Sequence, residues 1–151
     1  MEIVSFSAQD VEKHRDKICM LLEYSMKKSM FFHLPADYCE KKVSDLIHYL
    51  MEQCAYFWAA MDHDDVVGIL WACELEKLGE RSFHILYFSV AAHMQSTGIG
   101  TKLLKVAEQQ AVQLQIPYLE LNVTAENEQA VRFYQNRSFG ITRLMMRKNI
   151  M

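Results

Sequence analysis

Two glycines, one tyrosine and one histidine are the residues of this chain whose types and spacing could do chemistry. The run Val90-Ala91-Ala92-His93-Met94-Gln95-Ser96-Thr97-Gly98-Ile99-Gly100-Thr101 reads as a strand entering a loop, with a helix opening at the glycines. A helix N-terminus presents unpaired N–H groups and the positive end of the helix dipole, so it can hold a phosphate. Gly98 and Gly100 let backbone approach an anion with no side chain between. Taken alone, these residues serve equally well as a loop whose glycines only turn the chain. Two other phosphate loops fit less well. A Walker loop needs glycine, lysine and then serine or threonine, whereas Gly100-Thr101-Lys102 reverses that order. A dinucleotide fingerprint needs a glycine directly after the strand and another where Leu103 stands. Glu120 does fall about where a ribose-binding acid would sit, which leaves dinucleotide binding as a minor alternative.

The elements that must position this loop follow from the hydrophobic period. Ile3 to Phe6 reads as an opening strand, and Ser7 with Asp10 as a capping-box start for a helix. Val11, Ile18, Leu21, Leu22 and Ser25 carry one stripe to about Met30. Pro35 and Asp37 open a second helix whose apolar face is Val43, Leu46, Ile47, Leu50 and Met51. Tyr56–Met61 and Val66–Leu75 form a hairpin around His63-Asp64-Asp65. After a polar turn at 76–81, Ser82–Val90 is a third long strand. A helix from near Gly98 then leads to Pro117, a strand at Tyr118–Thr124, a short helix at Asn127–Asn136 and a terminal strand at Ile141–Asn149. The unit from 82 to 124 has the length of a parallel strand–helix–strand crossover, whereas the upstream hairpins are antiparallel. The order predicts one α/β domain over residues 1–151, a central mixed sheet with helices on both faces.

At this point the chain resembles the GNAT superfamily of N-acetyltransferases. Gln95-x-x-Gly98-x-Gly100 matches that family's Gln/Arg-x-x-Gly-x-Gly/Ala signature. Asn127, Ala130, Phe133 and Tyr134 match its downstream Asn-x-x-Ala-x-x-Phe-Tyr helix, and Phe139 the aromatic of its Gly-Phe ending. The match spans about 82 to 140, with a strand between the two motifs.

The resemblance implies acetyl-CoA as acyl donor, an amine acceptor, direct attack on the thioester and no metal. It implies that backbone at Phe88, Ser89 and Val90 pairs with the pantetheine arm like an added strand. Amides of Gln95, Ser96, Thr97, Gly98, Ile99, Gly100 and Thr101 would cradle the pyrophosphate, and Asn127 would contact the donor. Tyr134 would lie near the thioester sulfur, where a phenol can give a proton or hydrogen bond to the departing thiolate. As plain residues, Tyr134 is equally an amphipathic aromatic in the core.

A lysine-like amine, with pKa near ~10.4, is mostly charged at neutral pH and needs a base. His84 sits on the strand leading to Val90, on the same face by period two. It occupies the position that resembles the general base of some family members, and histidine titrates in the right range. The alternative is a strand histidine without a role. The acid that N-terminal acetylating members carry on the next strand is replaced by Asn122, with Glu120 on the same face as the substitute. Other departures are Ala92 for the usual proline, Ser138 for the usual glycine, and no basic residue among Gln95 to Thr97, which leaves the charge to Lys102 or Lys105.

Composition bounds the rest. Charged residues are 23% of the chain and the formal net charge is −3, so the whole-domain basic footprint of a nucleic-acid binder is missing. No stretch approaches the ~20 apolar residues of a membrane span, and no signal-peptide pattern opens the chain, so a cytoplasmic protein is expected. Cys19, Cys39, Cys54 and Cys73 lack metal-ligand spacing and read as buried free thiols. His33, His93, Asp62, Asp64 and Asp65 read as surface. The expected partner is a small-molecule or peptide amine, and a homodimer is compatible with the sequence. A non-catalytic acyl-CoA sensor of the same fold is the rival reading. It would keep the glycine loop without needing Tyr134 or His84.

Overall fold

The computed structural model describes residues 1–151. In chain order the elements are β1 (Glu2–Ser5), α1 (Ala8–Lys13), α2 (Arg15–Lys28), α3 (Tyr38–Met51), β2 (Tyr56–Asp62), β3 (Asp65–Lys77), β4 (Glu80–Val90), α4 (Ile99–Gln113), β5 (Tyr118–Leu121) and α5 (Glu128–Gln135). Ser7 starts α1 by reciprocal capping: its hydroxyl accepts from the Asp10 N–H at 3.2 Å, and the Asp10 carboxylate accepts from the Ser7 N–H at 2.8 Å. The single helix expected from Ser7 to Met30 is broken at His14, which leaves helical geometry at φ −108° and ψ 21°. The Asp10 carbonyl is taken locally by the His14 N–H at 3.1 Å and by its ring Nδ1 at 3.0 Å. Val11 on α1 and Ile18 on α2 are both fully buried.

The sheet runs β1-β2-β3-β4-β5. Neighbours are antiparallel from β1 to β4, and β4 pairs with β5 in parallel across the α4 crossover. Register sorts the side chains into two faces. Phe57, Ala59, Ile69 and Trp71 share the face toward α2, whereas Trp58, Ala60, Leu70 and Phe83 share the face toward α4. One cluster of 26 buried residues fills both interfaces. The expected mixed sheet with helices on both faces is what forms.

Four expectations need correction. The polar turn at 76–81 shrinks to Leu78 and Gly79, at φ 54° and 80°, because the ladder continues out to Lys77 opposite Glu80. The fifth strand stops at Leu121 instead of Thr124. The terminal strand at Ile141–Asn149 does not form, and residues 139–151 carry no regular structure. Alternation there puts Arg143 and Arg147 on one face and Lys148 on the other, so neither face is apolar enough to bury. Ile141, Leu144 and Met146 accordingly stay exposed. The cysteines are free, but Cys54 is exposed and the other three are only partly buried.

Candidate functional site

The site is organised by a bulge in β4. Tyr87 lies opposite Trp71 and Ile85 opposite Ala72, which leaves Leu86 without a partner on β3. The extra residue reverses the alternation, so His84 and Val90 do not share a face as period two predicts. His84, Tyr87 and Ser89 lie on the α2 face, and Ile85, Phe88 and Val90 on the α4 face. The β4–β5 ladder ends at the same place, with Ile85 opposite Leu121. From Leu86 onward β4 has no strand on its outer side, so the β5-side edge of Phe88, Ser89 and Val90 is open. The Ser89 side chain is buried with its hydroxyl unpaired.

The open edge leads into the glycine loop. Ala92–Met94 make one 3₁₀ turn, and the Thr97 hydroxyl donates to the Met94 carbonyl. Ser96 at φ 62° and Gly98 at φ 86° are both left-handed, a curl of the kind that gathers backbone N–H groups. Gly98 is the N-cap of α4, and no side chain caps that helix. The first-turn amides of Ile99, Gly100 and Thr101 therefore have no intrahelical acceptor. The two glycines serve different ends. A Cβ at Gly98 would meet nothing but would strain a positive φ. A Cβ at Gly100 would come within 3.2 Å of Phe133 and 3.3 Å of Phe88, so that glycine lets α5 lie close against α4.

On the α4 face, Tyr134 sits in an aromatic nest. Its ring centroid is 6.2 Å from Phe88, 5.4 Å from Phe133 and 5.4 Å from Phe139. Burial pushes its pKa upward, so the phenol stays neutral and keeps its proton to donate. Asn127 is the N-cap of α5, its side-chain oxygen accepting from the Ala130 N–H at 3.3 Å. Ser138 takes the left-handed conformation, φ 68°, that a glycine in this place adopts without strain.

On the α2 face, His84 is half-buried and lies opposite Glu120. Burial lowers its pKa below 6.5, and the Glu120 carboxylate opposes that only in part. The imidazole is neutral at pH 7 and can accept a proton. The Tyr38 and Tyr87 hydroxyls meet at 2.7 Å, tying α3 to β4. The Gln95 amide donates to the Tyr24 hydroxyl at 3.0 Å, tying the glycine loop to α2. Thr124 donates to the Ser29 carbonyl at 2.9 Å, tying the chain beyond β5 to the end of α2. Exposed Phe31 and Phe32 follow in the α2–α3 connection. Asn122 is exposed, as are His33, His93, Asp64 and Asp65. Asp62 is partly buried and contacts the His63 ring at 3.2 Å.

The structure thus joins Phe88, Gly100 and Tyr134 on one face and sets His84 on the other. Sequence reasoning missed Tyr24, Tyr38 and Tyr87, whose partners lie far along the chain and leave no local signal. It also missed Arg137, although a cation four residues after Phe133, just past the helix end, is a readable spacing.

Residues 23–141 match the Acetyltransferase (GNAT) family. The chain belongs to the GNAT acetyltransferase family. Members of that family use acetyl-CoA as co-substrate. A relative from Bacillus subtilis (strain 168), the uncharacterized N-acetyltransferase YdgE, is 28% identical over 96 residues, 63% of this chain. The match covers 61% of that relative's length. Among solved structures, the BH1408 protein of Bacillus halodurans superposes with a TM-score of 0.81 at 16% identity, covering 99% of this chain and 100% of that one. A putative acetyl transferase from Pyrococcus furiosus gives 0.76 at 24% identity, covering 99% of each chain. An aminoglycoside acetyltransferase from an uncultured soil metagenomic sample, solved with sisomicin, gives 0.75 at 18%, covering 99% of this chain and 96% of that one. These likenesses establish the fold of this GNAT chain. No helix is long and apolar enough to cross a membrane.

Proposed function

We propose that this GNAT chain moves an acetyl group from acetyl-CoA to a primary amine, on a small molecule or a peptide, by direct attack. The observation that carries the reading is the β4 edge left open beyond Ile85, continuous with the uncapped start of α4. Backbone polar groups from Phe88 to Val90 pair with the amides of the pantetheine arm. The amides from Gln95 to Thr101 take the pyrophosphate at the positive end of α4. Asn127, its side-chain oxygen engaged as a cap, offers the donor its remaining N–H groups. This runs the thioester into the splay between β4 and β5.

The two faces of β4 then divide the chemistry. The amine enters from the α2 side and attacks the thioester carbonyl carbon, so a C–N bond forms and the C–S bond breaks. His84, neutral and half-buried, takes the proton of the ammonium or of the attacking amine, directly or through one water. Glu120 across the ladder stabilises the imidazolium that forms. The sulfur departs on the α5 side, where Tyr134 donates a hydrogen bond to it. A phenol is a weaker acid than a thiol even before burial, ~10 against ~8.5, so Tyr134 stabilises the thiolate without giving up its proton.

The test is direct. Purified protein with acetyl-CoA and a panel of amines, polyamines, amino acids and peptides is assayed for free thiol and for acetylated product. Product with at least one amine is expected. Binding of acetyl-CoA with no turnover across the panel would favour a sensor, and no binding at millimolar acetyl-CoA would overturn the reading.

A further inference from the structure

The glycine loop and the first turn of α4 carry no cation from Gln95 to Thr101, although the reading above puts two phosphate charges there. The fold brings one from elsewhere. Arg137, just beyond α5, reaches across to Thr101 in the first turn of α4. Its Nε and Nη2 donate to the Thr101 hydroxyl at 3.2 and 2.7 Å, and its Nη1 donates to the Phe133 carbonyl at 2.9 Å. The guanidinium lies over the Phe133 ring, 3.7 Å from its centroid. No carboxylate pairs with it, whereas Arg15 has two and Arg81 and Arg132 have one each.

The Phe133 contact has a structural explanation, because a cation at the end of a helix satisfies its last carbonyls. The Thr101 contacts do not. They hold a full positive charge against the positive end of α4, where the helix dipole disfavours a cation. A residue that breaks a local rule without visible compensation marks a functional position. An anion between the two positive groups supplies the compensation. Five N–H groups in a rigid fork leave Arg137 one free donor on each terminal nitrogen after its present bonds, which suits phosphate oxygens.

We infer that Arg137 is the positioning cation for the donor's pyrophosphate, replacing the basic residues absent from the loop. The inference rests on acetyl-CoA binding at α4. Lys102 and Lys105 are exposed and hold no fixed contact, so Arg137 takes the role expected of them from sequence.

The test compares affinities for CoA, for dephospho-CoA, which keeps the pyrophosphate, and for S-acetylpantetheine, which lacks it. Calorimetry or competition is run on the wild type, Arg137→Gln and Arg137→Lys. Gln preserves the hydrogen bond to Thr101 and some of the packing while removing the charge. The preference for CoA over S-acetylpantetheine should fall about ten-fold in Arg137→Gln, the size expected of a charge-assisted bond. Dephospho-CoA should lose the same factor, and Arg137→Lys should lie between the Gln variant and the wild type. A merely structural arginine would weaken all three ligands together and leave the preference unchanged, which would overturn the inference. A loss confined to CoA, sparing dephospho-CoA, would also overturn it by moving the contact to the 3′-phosphate. A wild type with no preference for CoA at all would instead overturn the reading beneath it.

Discussion

The two faces of β4 are built by different means. On the α4 face the proposed donor side is local: Gln95 to Thr101 and Asn127 to Phe139 are two short stretches joined by one strand, and Phe88 and Phe133 clasp Gly100 between them. On the α2 face the proposed acceptor side is assembled from distant pieces, with Tyr38 bonded to Tyr87 and Thr124 to Ser29. Backbone amides and missing side chains do the work on the first face. Side chains from separate elements do it on the second. The difference teaches that the proposed donor half rests on chain geometry, whereas the proposed acceptor half rests on side chains from separate elements.

The largest effect that would sharpen this division is expected from Tyr134→Phe. Turnover should fall by ~10²-fold or more, while acetyl-CoA affinity changes far less, if the phenol's hydrogen bond stabilises charge on the departing sulfur as proposed. Single-turnover kinetics beside a binding titration separates the two. A loss confined to affinity would reduce Tyr134 to a packing residue.

His84→Ala probes the other face, with an expected loss of roughly 10²-fold in kcat/KM at neutral pH and unchanged donor affinity. The pH profile gives its sign. Burial lowers the His84 pKa, so the active neutral form gains as pH rises through a value below 6.5. The rising limb of kcat/KM should lie on the acid side of an ordinary histidine and vanish in the variant. Persistence of the same limb without His84 would transfer the role to Glu120.

Gly98→Val attacks the donor face through backbone alone. The position is open but left-handed, so the branched side chain meets no neighbour and instead distorts the cap of α4. CoA affinity should drop about ten-fold or more while far-UV circular dichroism is retained, the size set by losing charge-assisted amide contacts. Wild-type affinity would put the phosphates elsewhere.

The motif of the proposed donor side was legible because it is a spacing. Gln95, Gly98 and Gly100 sit within one loop, and the strand and helix around them follow from apolar period. The face of His84 was not legible. It depends on the extra residue at Leu86, and that bulge exists only relative to the register of β3. The tyrosines of the acceptor side share that difficulty, since each needs a partner dozens of residues away. The terminal strand failed for a different reason. Ile141 to Asn149 has the side-chain types of a strand, but a strand also needs a partner edge and an apolar face, and here cations interrupt both faces.

The smallest predicted effect concerns Ser138, held at φ 68° where glycine carries no steric cost. Ser138→Gly should stabilise the fold by roughly 1 kcal/mol, somewhat less after the added flexibility of the unfolded chain. Thermal melts would show a small rise with no change in His84 chemistry, which keeps the two faces separable. A fall would mean that Ser138 contributes contacts beyond its backbone.

The central claim is that the first turn of α4 receives the donor's phosphates, and amide chemical shifts read it directly. In a titration of ¹⁵N-labelled protein with CoA, the amides of Gly98, Ile99, Gly100 and Thr101 should show the largest shifts. Titration with S-acetylpantetheine should move Phe88 to Val90 while leaving the α4 amides nearly still. If CoA binds and those four amides do not respond, the account is wrong about where the donor sits.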